Sequence, residues 1–335
     1  NEAARTLQQA AENAGAPAGL ISCMRTISLG GTQELMRHKR VRVILATGGE
    51  GMVKAAHSVG KPAYGVGPGN VPAYVDRSAD LEKAARYIVS SKSFDYSLIC
   101  ASEQSVVADR PIAAQLAQLM QINGAYFAEE KTADILRHIL FNPDGTMNVA
   151  TVGKSPQFLA QLGGFEIPAD TRIIVVRLNR VGPEEPLSRE KLTTVLGWYE
   201  EDGWEKGCER CIELILFGGR GHSLVLHATD QDVIMQFGLE KPVFRILVNT
   251  MSTLGAVGMT TGVMPSLTLG AGGEGGSVTG DNVTVHHLFN IKRLAYEITP
   301  PPEAAMVGSG KSSGPTQQEL ESIVRQVMLE ALAKK

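Results

Sequence analysis

Between Val41 and Val75 strand patterns and a helical pattern alternate at short intervals. Val41-Arg42-Val43-Ile44-Leu45-Ala46 reads as a buried strand that ends at Thr47-Gly48-Gly49. Gly51 to Ser58 reads as a helix, Lys61 to Val66 as an extended segment, and Pro72 to Val75 as another. Short apolar runs bounded by glycine, with a helical period between them, are the signature of βαβ units. Successive units of this kind place their strands parallel, so an α/β fold with open, mostly parallel sheets is expected.

The alternation extends in both directions. Upstream, Glu2 to Asn13 has helical spacing, Leu20 to Met24 is an apolar run suited to a strand, and Glu34 to His38 is a further helical piece. Downstream, Asp80 to Ser91 is a helix, with Ser78 or Asp80 as its cap and Leu81, Ala84, Ala85 and Ile88 on its apolar face. Glu103 to Ala108, Arg172 to Val176, Ser223 to His227 and Phe244 to Val248 read as strands, and Pro111 to Ile122 and Trp204 to Phe217 as helices. From Thr250 to Gly280 a long Gly/Ser/Thr stretch takes over, and loops of this length inside a compact domain are usually functional. Val283 to Ile298 is expected to recover order, and 300–315 is a linker by composition.

Beyond the linker, 316–335 forms a second pattern. Thr316 is placed to cap a helix in which Leu320, Ile323, Val324, Val327, Met328 and Leu332 recur at three- and four-residue steps. About twenty residues on a linker are expected to lay that stripe in an external groove or on a partner helix, the alternative being a return to their own subunit.

Bulk properties remove several classes. A formal net charge of -3 carries no electrostatic footprint for nucleic acid. No run reaches the roughly 18 apolar residues of a membrane span. Four irregularly spaced cysteines do not make a disulfide framework, which points to a reducing compartment. Cys23, in its apolar run, is expected to be core packing. Cys208 and Cys211 fall within one amphipathic helix, without a second pair to complete a zinc site. Cys100 differs from all three because it sits in a turn between a helix and a strand, where side chains meet ligands. Thr47-Gly48-Gly49 follows a strand and opens a helix, so its free N–H groups are placed to meet a cofactor phosphate.

The segment Phe94-Asp95-Tyr96-Ser97-Leu98-Ile99-Cys100-Ala101-Ser102-Glu103-Gln104 resembles the nucleophile segment of CoA-acylating aldehyde dehydrogenases, including those of bacterial microcompartments. Ala46 to Val53, Lys61-Pro62, Gly65 to Pro72, Glu190-Lys191-Leu192, Gly219 to His222, Arg245 to Thr250 and Pro265 to Gly270 occur in that family's order. The resemblance implies an aldehyde dehydrogenase-like fold whose Rossmann-type domain is incomplete at the N-terminus, since the family's chains are longer there. It implies a partial dinucleotide-binding domain over 1–72, a catalytic domain over 73–282, a returning oligomerisation segment over 283–299, and an encapsulation-like helix over 316–335.

It also implies the site. Cys100 would carry an acyl thioester, and His222 would help to deprotonate Cys100 or CoA. Thr47, Gly48 and Gly49, with Gly65, Val66, Gly67 and Gly69, would meet NAD, and Glu190 would hold its nicotinamide ribose. Val66 occupies the position at which hydrolytic relatives carry a water-activating Glu, 34 residues before Cys100, and valine has no such chemistry. Tyr96 stands where members of the family often have Asn. His286 and His287 read as structural. The implied partners are a short-chain aldehyde such as propanal or acetaldehyde, CoA, further copies of the chain, and a shell protein or cargo in the bacterial cytoplasm, with no metal. Two rivals stand beside this reading: a hydrolytic aldehyde dehydrogenase, and a catalytically silent cargo or scaffold protein.

Overall fold

The computed structural model describes residues 1–302 and 314–333. It divides into two units, Asn1–Phe289 and Asn290–Lys335. In the first unit α1 (Glu2–Asn13) and α2 (Leu29–Arg37) precede β1 (Ile44–Thr47), α3 (Glu50–His57) and β2 (Ala63–Val66). β1 and β2 pair in parallel, with Ile44 opposite Ala63 and Thr47 opposite Val66. A small core of Ile44, Ala46, Ala56 and Ala63 holds α3 on this two-stranded sheet.

A larger sheet follows. Its strands are β3 (Val71–Val75), β4 (Glu103–Asp109), β5 (Ala125–Phe127), β6 (Ile173–Arg177), β7 (Val195–Glu201), β8 (Leu224–His227) and β9 (Ile246–Val248). Among the described residues these seven pair in the order β5-β6-β7-β4-β3-β8-β9, every neighbour parallel. The helices are α4 (Leu81–Ser93), α5 (Arg110–Ile122), α6 (Glu130–Leu140), α7 (Pro156–Gly163), α8 (Trp204–Gly218), α9 (Gln231–Glu240) and α10 (Ser252–Ala256). The alternating side chains of each strand divide between two cores. Ala73, Val75, Val106 and Ala108 face the core of α4 and α5, whereas Tyr74, Val107 and Ile174 face that of α6, α8 and α9.

Several expectations shift. The sheets part at Gly67–Asn70, so Val71 and Pro72 pair with β4 and not with the small sheet. Leu20–Met24 forms no strand, and Cys23 is exposed, not core. An apolar run becomes a strand only against a partner ladder, and among the described residues none pairs with it. Val283–Ile298 holds only a single turn at Val285–Leu288, closed by reciprocal bonds between Thr284 and His287. Asp80, not Ser78, caps α4, accepting the Lys83 N–H at 3.0 Å. Ser78 instead receives the Thr229 and Asp230 N–H groups.

In the second unit a helix spans Gln317–Ala333. The Thr316 hydroxyl and the Glu319 carboxylate bond reciprocally across its first turn, as a capping box requires. Residues 303–313 of the expected linker, Lys334, Lys335 and the Leu332 side chain lie outside the described residues.

Candidate active site

From the end of β2 the chain passes through Gly67–Asn70 straight into β3, so the carboxyl edge of the small sheet faces the amino edge of the large one. Gly69, Cys100, Glu190 and His222 all lie just before the strands β3, β4, β7 and β8. Thr47, Gly48 and Gly49 come from the opposite side, at the end of β1. A cleft of about 460 Å³ separates the two sides, lined by Thr47, Gly48, Gly49, Gly67, Cys100 and Glu190, with Leu98, Met147 and Leu267 among its apolar walls.

Cys100 and His222 are 122 positions apart in sequence and meet here. His222 Nε2 is 3.2 Å from Cys100 Sγ, and its Nδ1 is 3.1 Å from Ser223 Oγ. With Nδ1–H donating to Ser223, Nε2 presents its lone pair to the thiol. Burial, aided by the Glu190 charge, pushes the Cys100 thiol up to about 12. Burial, aided by the Arg245 charge, pushes His222 down to about 3. The resting pair is therefore a neutral thiol against a neutral imidazole, an acceptor for the proton without being a cation.

The turn that presents Cys100 is strained. Asp95, Tyr96 and Ser97 have φ of 47°, 48° and 63°, three consecutive side chains in left-handed backbone, at about 1–2 kcal/mol each. Buried polar groups hold it. Lys92 Nζ donates to Ser97 Oγ at 2.9 Å and to Gln104 Oε1 at 3.1 Å, and Ser97 Oγ lies 2.7 Å from Ser102 Oγ. The same Gln104 oxygen accepts the Lys191 N–H at 3.1 Å, which ties the nucleophile turn to the Glu190 segment.

Glu190 Oε1 accepts the Gly69 N–H at 2.9 Å, and burial pushes this carboxyl up to about 7. Gly69 is confined: a Cβ there would collide with the Cys100 carbonyl oxygen and lie 3.2 Å from the His222 ring. Gly65 and Val66 do not reach the cleft. A Cβ on Gly65 would lie 2.5 Å from His57 Nε2 and 2.6 Å from Val53 Cγ1, so that glycine serves the packing of β2 on α3. Val66 is sealed in the same strand at 0% exposure. Of the expected cofactor residues, Thr47, Gly48, Gly49, Gly67 and Glu190 line the cleft, Gly69 lies behind it against Glu190 and Cys100, and Gly65 and Val66 are taken up by the packing of β2.

Sequence reasoning assigned no role to two buried groups. Arg245 is buried and donates to the His222 carbonyl at 2.9 Å, to Asn282 Oδ1 at 2.8 Å, and to the carbonyls of Gly270 and Gly280. It fastens the glycine-rich segment beneath His222. Lys92 follows Ile88 by four residues on the apolar face of α4, and a lysine on a buried stripe was the available signal.

A cleft-lining cysteine, a buried imidazole 3.2 Å from its sulfur and a glycine-led wall opposite are the features this α/β fold brings together. Residues 3–123 match the aldehyde dehydrogenase family. The chain is 48% identical to an acetylating aldehyde dehydrogenase from Geobacillus thermoglucosidasius, with a TM-score of 0.87 over 90% of this chain and 66% of that one. It is 41% identical over 305 residues to aldehyde-alcohol dehydrogenase 2 of Entamoeba histolytica, covering 88% of this chain and 35% of that protein. A propionaldehyde dehydrogenase of Rhodopseudomonas palustris, solved with bound propionyl-CoA, superposes with a TM-score of 0.75 at 29% identity, over 84% of this chain and 60% of that one. This chain belongs to the aldehyde dehydrogenase family. It spans about a third of the length of the first curated relatives it matches.

Proposed function

We propose that the protein is a CoA-acylating, NAD-dependent aldehyde dehydrogenase that converts a short-chain aldehyde, CoA and NAD⁺ to acyl-CoA, NADH and a proton. The reading rests on His222 Nε2 standing 3.2 Å from Cys100 Sγ beside the cleft. His222 takes the thiol proton as Cys100 Sγ adds to the aldehyde carbonyl, and the Cys100 N–H is placed to donate to the oxygen that becomes negative. Oxidation then leaves the acyl group on sulfur as a thioester.

The fit to a dinucleotide comes from the opposite wall. No side chain caps α3 at Gly49, so the first N–H groups of that helix are free to receive phosphate, and Glu190 lines the same cleft as a ribose acceptor. NAD supplies the two-electron acceptor when bound. The thioester outlasts water because Val66 is an alkyl group inside β2, and Glu190 is engaged by Gly69. CoA thiolate, deprotonated with the help of His222, expels the acyl group from Cys100.

The wider organisation belongs to the same proposal: a partial dinucleotide-binding domain, a catalytic domain, and a segment carrying Phe289, Ile291, Leu294, Tyr296 and Ile298 that joins a neighbouring copy in a homo-oligomer. The amphipathic helix Gln317–Ala333 is proposed as an encapsulation peptide that directs the enzyme into a bacterial microcompartment. Among the described residues no helix is long and apolar enough to cross a membrane.

Mass spectrometry after aldehyde and NAD⁺, without CoA, tests the chemistry. An acyl adduct on Cys100 that CoA removes as acyl-CoA is expected. Continuous NADH formation without CoA would mean hydrolysis, and an unmodified Cys100 in the full enzyme would mean a silent cargo protein. Alkylation alone is a poor discriminator, because Cys23 is exposed as well.

A further inference from the structure

The pair of cysteines in α8 plays no part in the chemistry above, yet one of them has an unusual neighbour. Cys208 Sγ and Lys241 Nζ are in direct contact, although the residues come from different helices: Cys208 from the first half of α8, Lys241 from the residue that ends α9. Both are buried, Cys208 at 3% and Lys241 at 6% exposure. The lysine nitrogen also lies over the Phe237 ring, 3.9 Å from its centroid. Among the described residues no carboxylate is within ion-pair distance of it. The two helices thus hold an amine nitrogen and a sulfur atom against each other, shielded from water and within reach of a covalent bond.

We infer that Cys208 and Lys241 form an oxidation-triggered covalent link between α8 and α9. The oxidant is a hydroperoxide. The Cys208 sulfur attacks its terminal oxygen, the O–O bond breaks, and the products are a sulfenic acid and an alcohol or water. The Lys241 amine then attacks sulfur, forming an S–N bond as the S–O bond breaks. The hydroxyl leaves as water with one amine hydrogen, and the further proton of an initial ammonium passes to Glu240, whose Oε2 is 3.6 Å from Cys208 Sγ. The sum is thiol, amine and hydroperoxide giving sulfenamide, alcohol and water, with sulfur oxidised by two electrons and the peroxide reduced by two. Two equivalents of an external thiol return the free pair and a disulfide.

Cys211, one helical turn further on, is the competitor. It is more deeply buried, at 0% exposure, so the oxidant meets Cys208 first, and the amine already lies against that sulfur. Trypsin separates the outcomes because cleavage after Lys206, Arg210, Arg220 and Arg245 yields the peptides 207–210, 211–220 and 221–245, Lys241 being protected by Pro242. The native protein is treated with hydrogen peroxide, its remaining thiols are alkylated, and it is digested without reductant. The expected product is 207–210 joined to 221–245, lighter than the two peptides by two hydrogens, absent after dithiothreitol and absent from Lys241→Arg. A join between 207–210 and 211–220 would be a Cys208–Cys211 disulfide and would overturn the assignment. So would sulfinic acid on Cys208 with Lys241 free, or an unoxidised Cys208 under conditions that oxidise Cys100. Lys241→Arg keeps the positive charge over Phe237, and a join that persisted in that variant would also refute the role of the amine.

Discussion

The two walls of the cleft are built to different standards. Cys100, Glu190 and His222 lead into strands of the seven-stranded sheet, buried on both faces by two large cores. Thr47, Gly48 and Gly49 end a two-stranded sheet of four-residue strands, whose core is one isoleucine and three alanines. Positions backed by dense packing hold reacting atoms to small tolerances, while thinly packed elements open at lower free energy. On the proposed function, the difference suits the heavy wall to chemistry and the light one to reversible ligand capture, with Glu190 the one residue of the heavy wall that also meets the dinucleotide. Substitutions on the first should lower kcat, and on the second should raise KM.

The largest effect is expected at the proposed base. His222→Gln removes the proton acceptor and should slow acyl-adduct formation by about 10² to 10³-fold, read by rapid-quench mass spectrometry. Its pH dependence sharpens the contrast within the heavy wall. Because His222 sits near 3, it is neutral at every working pH and contributes no inflection near 6.5. Burial places Glu190 near 7, so its inflection should survive in His222→Gln and be lost in Glu190→Gln, while Glu103 and Lys191, buried behind it and also near 7, keep theirs in both. The reverse pattern would show that His222 is the titrating group.

Next is the support of the nucleophile turn. Lys92→Met leaves Ser97 and Gln104 without their shared donor, at about 1–3 kcal/mol of stability, and releases three left-handed residues from their clamp. A roughly tenfold fall in kcat with KM for the dinucleotide little changed is expected on the same ground. Equal losses in both constants would mean that the two walls move together. A smaller effect is expected across the cleft. Gly49 has extended backbone and open space where a Cβ would stand. Gly49→Val should therefore fold normally yet obstruct the mouth, raising KM for the dinucleotide a few-fold with kcat retained. A kcat loss larger than that of Lys92→Met would break the division.

The same contrast governs what could be read from sequence. The light wall is local: β1, α3 and β2 follow one another within 23 residues, and hydrophobic period with glycine punctuation exposes them directly. The heavy wall is assembled from segments up to 122 residues apart, so the pairing of Cys100 with His222 came from family resemblance and not from any period. Two strands escaped for further reasons. β5 has three residues, and β7, Val195–Glu201, carries Gly197 and two acids, so neither shows the apolar run of a buried strand. The resemblance puts Gly65 and Val66 beside the cofactor with the rest of their glycine motif, but both fall inside β2, and only beyond its end, at Gly67, does the chain line the cleft. Cys23 looked like core because its neighbours are apolar, whereas burial depends on what packs against them.

The smallest change is expected from Glu103, which stands behind the nucleophile and touches no ligand. It is fully buried, its Oε1 accepts the Ser252 N–H at 3.0 Å, and its Oε2 has no partner among the described residues. Burial pushes it up to about 7 from 4.5. Between those values the folded chain keeps a proton that the unfolded chain has released, so this carboxyl's contribution to stability falls as pH rises from 4.5 to 7 and is constant beyond. Glu103→Gln retains the acceptor for Ser252 and lacks the titration. Its unfolding free energy from urea titration should therefore lose less than the wild type's over that window, by on the order of 1 to 3 kcal/mol, while Glu190 keeps a residual slope of the same sign. Activity should be little altered, because the carboxyl acts on the fold of the heavy wall and not on the reacting atoms. Parallel pH profiles in the two proteins would place Glu103 in contact with solvent and remove it from the wall's buried framework.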